Sequence, residues 1–403
     1  MTRNRTILLI LSFIAFISLG LPDGLLGVAW PGIRDTFGLP VDALGLFLVF
    51  TTAGYMTSGF FSGALVRKLG LGGVLAASCA ATGIALGVYS VAPAWWVFVV
   101  FGLLGGSGAG AIDAGLNAYI DRNHSERLMQ WLHASFGVGI TLGPAIMTTG
   151  LSLTGQWQPG YRVVAVAQLV LAAGFLVTRR LWEREGPRAD APDDGRTREG
   201  VADAPDAAAG EATIWQSAVH LRSLAGMLLF FTYVGAELGL GVWAYTLLTE
   251  SRGVEPTIAG IVTGGYWASF TVGRILAGIL GSRIGLQRLV GWAIGLAAVS
   301  MAVVWADLGA GPTVAGIAVT GFLIAPVFPG LMSDTRNRVE ERHLSNTIGM
   351  QIAGAGLGGA ALPALAGVGA RVFGLEAIPV FLFAFLVVLL VLYALTHLWA
   401  RSR

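Results

Sequence analysis

Asp23-Gly24-Leu25-Leu26-Gly27-Val28 is echoed 214 residues later by Glu237-Leu238-Gly239-Leu240-Gly241-Val242. Gly45 has its counterpart in Gly260, and Gly63-Ala64-Leu65-Val66-Arg67-Lys68-Leu69-Gly70 has its own in Gly278-Ile279-Leu280-Gly281-Ser282-Arg283-Ile284-Gly285, both at a spacing of 215. Three matches held at nearly the same spacing, 214 to 215 residues, make the chain two related halves in parallel order. Parallel repeats with a site at their interface are one of the architectures of membrane carriers.

The surrounding composition says what the halves are made of. Of 403 residues, 55% are hydrophobic and 12% are charged, about half the charge of a soluble domain. Apolar runs cover roughly 7–32, 43–66, 72–92, 95–120, 129–154, 161–181, 223–249, 257–281, 288–308, 312–334, 345–370 and 376–399. A membrane-spanning helix needs about 20 such residues. The expected fold is therefore an all-α membrane protein of twelve transmembrane helices in two pseudo-symmetric six-helix bundles. The bundles occupy 1–181 and 222–403. The polar, Pro- and Gly-containing stretch 182–221 between them cannot bury enough surface to fold alone and reads as a flexible cytoplasmic linker. The run Ile7–Ala29 is too long for a signal-peptide core and reads as an uncleaved first span.

Basic residues give the orientation. With the N-terminus inside, twenty Lys and Arg fall on the cytoplasmic side and four (Arg34, Arg162, Arg252, Arg371) on the other, with Arg274 inside a span. By the positive-inside rule both termini are cytoplasmic, in an inner membrane. A net charge of +2 argues against nucleic acid. Cys79 is the only cysteine and the five histidines lack ligand spacing, so no metal or cofactor is expected. No nucleophile–base set points to an enzyme. A functional monomer with the lipid bilayer around it is the expected state.

Ionisable groups inside a span cost about 2.5–3.5 kcal/mol each, and four are kept: Asp23, Asp113, Glu237 and Arg274. Asp23 and Glu237 hold matching places in spans one and seven, as if lining a cavity from each half. Pro22 and Gly24 should weaken the helix there and free carbonyls for a solute. Asp113 and Asn117 share a face at i, i+4. A turn near 124–125 would bring His133 level with them, a carboxylate–imidazole pair able to handle a coupling proton. Trp267, seven residues before Arg274, could stack on a sugar ring or fill the core. Gln351 adds a polar side chain in span eleven. The Gly105–Gly110 run lies inside a span and lacks the following Lys-Ser/Thr of a phosphate loop. It reads as a close-packing surface.

The repeat and the Gly63–Gly70 loop resemble the major facilitator superfamily, with Arg67 standing where that family's common motif has an acid. The resemblance implies gating or structural roles for Arg67, Arg283 and Arg274. Gly108–Asn117, Gln130-Trp131-Leu132-His133 and Gly273-Arg274 are similar to the fucose–galactose–glucose:proton symporter branch. That likeness implies secondary active transport of a sugar or similar polar solute by alternating access. By that likeness Asp113 would couple protons and Asn117 and His133 would line the solute cavity; the intramembrane positions of Asp23 and Glu237 add them as coupling acids, with sodium as the alternative ion. Asp23, Asn117, His133, Glu237, Trp267 and Gln351 would hold the solute. The competing reading is proton-driven efflux of amphipathic drugs or metabolites.

Overall fold

A computed structural model describes residues 3–184 and 212–401. The Arg283 side chain and the middle of the 182–221 stretch lie outside the described residues. The first unit contains six long helices: α1 (Arg3–Phe37), α2 (Leu44–Leu69), α3 (Leu71–Tyr89), α4 (Trp95–Asn123), α5 (Glu126–Thr154) and α6 (Gln158–Arg184). The second opens with the short α7 (Ile214–Ala218) and continues through α8 (Leu221–Thr246), α9 (Pro256–Ile284), α10 (Leu286–Trp305), α11 (Ala310–Ile324), α12 (Val327–Arg338), α13 (Glu341–Phe373) and α14 (Ala377–Arg401). The turn Pro40–Gly45 groups with the second unit. Eleven helical stretches of the described residues are long and apolar enough to cross a membrane. With α9 they make the twelve spans, α11 and α12 together being one.

Three boundaries carry information. The tenth span, read from sequence as continuous, breaks at Ala325-Pro326, because proline has no N–H to continue the ladder. The stretch 182–221 is helical at both ends: α6 runs to Arg184, and α7 is fixed by a Thr213/Gln216 capping box. The third is α1, which runs unbroken through Pro22 and Pro31. Pro22 does orphan the Ser18 carbonyl, but Gln168 of α6, fully buried, donates Nε2–H to it at 2.9 Å. The expected solute-binding carbonyl is thus already bonded inside the bundle.

Each half is zipped together by glycines, and the contacts obey the repeat. A Cβ on Gly139 would fall on the Ile17 carbonyl and one on Gly358 on the Phe231 carbonyl. So α1 packs on α5 as α8 packs on α13. Likewise Gly106 faces the Thr51 carbonyl and Gly321 the Tyr266 carbonyl, each pair 215 residues from its counterpart. Without an aqueous hydrophobic drive between helices, such close backbone approach is what dispersion needs. The inner core of the first unit is apolar, built from Phe16, Leu75, Cys79, Ile112, Leu132, Phe175 and Trp182.

Candidate functional site

The glycine run of α4 does more than pack. Gly102, Gly106 and Gly110 face Phe47, Thr51 and Tyr55 of α2, one per turn, while Gly108 faces Ser78 and Thr82 of α3. Their lack of side chains draws α2 against α4. Asp113 lies one turn beyond Gly110, and the approach lets the Tyr55 hydroxyl donate to Asp113 Oδ2. Asn117 donates Nδ2–H to Asp113 Oδ1 at 2.9 Å. Each carboxylate oxygen therefore has its own donor. Asn117 Oδ1 is enclosed and has no hydrogen-bond partner among the described residues.

His133 lies on α5, after the turn at His124-Ser125. Its ring stands edge-on to Phe16, centroids 5.7 Å apart, and its charge is felt at Asp113. The sequence-predicted trio is thus one neighbourhood, but the direct carboxylate partners are Asn117 and Tyr55. Tyr55 was missed: a lone Tyr in an apolar span gives no signal until the register of α2 on α4 is known.

Asp23 is exposed in the middle of α1, although Gly24–Trp30 after it are all buried. A carboxylate turned to lipid at that depth would be costly. Its charge reaches Tyr55 and Tyr161. In the second unit Glu237 is half-buried beside Tyr233 and within electrostatic reach of Arg274. Tyr266 donates its hydroxyl to the Glu237 carbonyl at 2.8 Å. The Arg274 guanidinium sits 4.4 Å over the Phe270 ring.

Two of the predicted solute residues are buried. Trp267 is 2% exposed and lies against Gly241, Tyr266 and Phe270. Gln351, also 2% exposed, accepts from Thr335 Oγ1 at 3.0 Å. Asp334 binds Arg338 Nε at 2.7 Å and accepts from Gln287 and Asn337. Arg67 ends α2 fully in the open. At the opposite end of the second unit, Arg252 ties Glu376 (2.8 Å), Asp307 (3.5 Å), the Val304 carbonyl and Thr313 together. Sequence reading counted that arginine only as a surface charge.

Two related helical bundles with acids kept at depth define a membrane transporter rather than an enzyme. The chain belongs to the Major Facilitator Superfamily, whose model matches residues 8–255 and 226–403. It is 22% identical over 393 residues to Bypass of stop codon protein 6 of Saccharomyces cerevisiae, covering 91% of this chain and 77% of that one. It is 19% identical over 359 residues to the Glucose/mannose transporter GlcP of Bacillus subtilis, covering 87% and 85%. Among solved structures, a bacterial homolog of the human lysosomal transporter Spinster, inward-facing and unoccupied, superposes with a TM-score of 0.74 at 13% identity, covering 100% of this chain and 98% of the other.

Proposed function

We propose that this transporter carries a small polyhydroxylated solute of the sugar class together with protons, by alternating access, in the inner membrane with both termini cytoplasmic. The observation that carries the reading is the Tyr55–Asp113–Asn117 cluster with its unpartnered Asn117 Oδ1. An enclosed acceptor without a donor is uncommon, and a solute hydroxyl would supply the donor. The resemblance to a glucose/mannose transporter supports the sugar class.

The cluster also has the chemistry for coupling. An ionised carboxylate accepts only, and both oxygens are engaged. On protonation one oxygen becomes a donor. Asn117 faces Asp113 with an N–H, which cannot accept, whereas the Tyr55 hydroxyl can turn and do so. The proton therefore belongs on the oxygen beside Tyr55. Its arrival reverses the hydrogen bond that joins α2 to α4 and leaves the bond to Asn117 in place. His133 tunes the carboxylate by its charge, and Asp23 and Glu237 contribute one acid from each half. Trp267 and Gln351 support the second bundle from within.

In proteoliposomes, Asp113→Asn should abolish accumulation driven by a pH gradient and leave counterflow, which needs no net proton movement. Accumulation by the variant at the wild-type level would overturn proton coupling through Asp113. Loss of wild-type uptake when choline replaces sodium would transfer the coupling role to sodium. A deoxy-sugar series should compete about ten- to hundredfold less well than the parent sugar, since each missing hydroxyl strands a buried partner at about 1–3 kcal/mol. Better competition by lipophilic cations than by sugars would replace the sugar class with an efflux substrate.

A further inference from the structure

At the arginine-rich end of the second unit, two histidines stack face to face. The His220 and His343 rings are 4.4 Å apart between centroids and 4° from parallel. His220 lies in the turn between α7 and α8; His343 is in the first turn of α13 and 3% exposed. The pair is the centre of a dock. Ser217, the buried residue of α7, meets His343 Nδ1 through Oγ at 2.9 Å. Asn346 Nδ2 donates to the Ala212 carbonyl at 2.8 Å and to Ser217 Oγ at 3.1 Å, and the Ala212 N–H donates to the Arg342 carbonyl at 3.0 Å. On the other side His220 Nδ1 meets Ser223 Oγ at 3.2 Å, and Ser223 meets Thr347 at 2.7 Å. Among the described residues, the hydrogen bonds that tie α7 and Ala212 to α13 go to His343, Arg342 and Asn346.

We propose that the stacked His220–His343 pair is a pH-sensitive latch that holds α7 against α13 at neutral pH and releases it on acidification. Two neutral imidazoles stack; two imidazoliums at this separation repel. The charged neighbours reinforce the bias: Arg222 and Arg342 oppose a proton on His220, and Glu340 is the one acid among the described residues favouring it. Ser217, Ser223, Thr347 and Asn346 bring no charge. Burial, then His343, hold the His220 imidazole below its ordinary range. The sign follows: the released form takes up protons first, so docking is complete above the ordinary histidine range and is lost as pH falls through and below it. The latch does not depend on the identity of the transported solute. It would place the segment leading into α8 under the control of pH on that face.

Hydrogen–deuterium exchange of residues 212–220 in the full-length protein in nanodiscs tests this. The Ser217 and Val219 amides are bonded within α7 and should be protected. Corrected for intrinsic rates, their exchange should be about tenfold faster near pH 5.5 than near pH 7.5. His220→Phe keeps a ring to stack but cannot charge, and should flatten that dependence with α7 protected throughout. Asn346→Ala cuts two docking bonds and should exchange fast at both pH values. A wild-type rate that ignores pH overturns the latch, as does a His220→Phe variant that keeps the wild-type step. Asn346→Ala exchange no faster than wild type at the higher pH would also refute it, since the dock would then not hold α7.

Discussion

The Ser18 carbonyl offers a closed thermodynamic test of how a proline is tolerated in a buried membrane helix. Pro22 has no N–H for it, and Gln168 supplies the substitute at 2.9 Å from a position with no exposure. Gln168→Leu keeps most of the volume and removes the donor. The carbonyl is then buried and unpaired, at a cost of about 1–3 kcal/mol. The contact of Ser18 Oγ with Gln168 Oε1 is long at 3.4 Å, and that hydroxyl already donates to the Ala15 carbonyl at 2.8 Å, so its loss adds little. Pro22→Ala restores a backbone donor at position 22. In that background Gln168→Leu should cost about 1 kcal/mol or less, giving a coupling of about 1–2 kcal/mol in a double-mutant cycle. Reversible unfolding in mixed detergent micelles measures all four variants. Equal costs for Gln168→Leu in the two backgrounds, within about 0.5 kcal/mol, would show that the glutamine is not the proline's substitute donor.

Three further outcomes follow from the geometry. Gly106→Ala places a Cβ on the Thr51 carbonyl and should lower stability by about 1–3 kcal/mol, with Gly321→Ala against Tyr266 behaving alike in the same unfolding assay. Tyr55→Phe removes a hydrogen bond to a carboxylate, worth about 1.5–3 kcal/mol. It should move the proton dependence of uptake by about tenfold or more while sparing counterflow, and an unchanged profile would remove Tyr55 from the coupling step. The bond from Arg252 holds the Glu376 carboxyl below its ordinary range of about 4.5 against the opposing effect of burial, with Ser251 assisting. The stability it lends is therefore present above that range and lost as pH falls through and below it. Thermal unfolding between about pH 3 and 6 should show this slope in the wild type and a shallower one in Arg252→Gln.

The sequence carried the architecture because a lipid bilayer constrains it one segment at a time. Length and hydropathy of each run specify a span, and the Asp23/Glu237 and Gly63/Gly278 spacings specify two copies of one bundle. Neither needs a neighbour to be known. The i, i+4 relation of Asp113 and Asn117 was legible for the same reason, being internal to one helix. What lay beyond reach was whatever depends on the rotation and register of one helix against another. Tyr55 becomes a partner of Asp113 only because Gly110 lets α2 slide in at that height. The carbonyl freed by Pro22, that of Ser18, meets Gln168 across 150 residues of chain rather than a solute. Trp267 packs on Gly241 and Gln351 accepts from Thr335, contacts made across helices. Hydropathy alone does not resolve the lipid-facing, packed and water-facing sides of an apolar helix. Side-chain packing across helices draws that distinction, and it exists only once the bundle has formed.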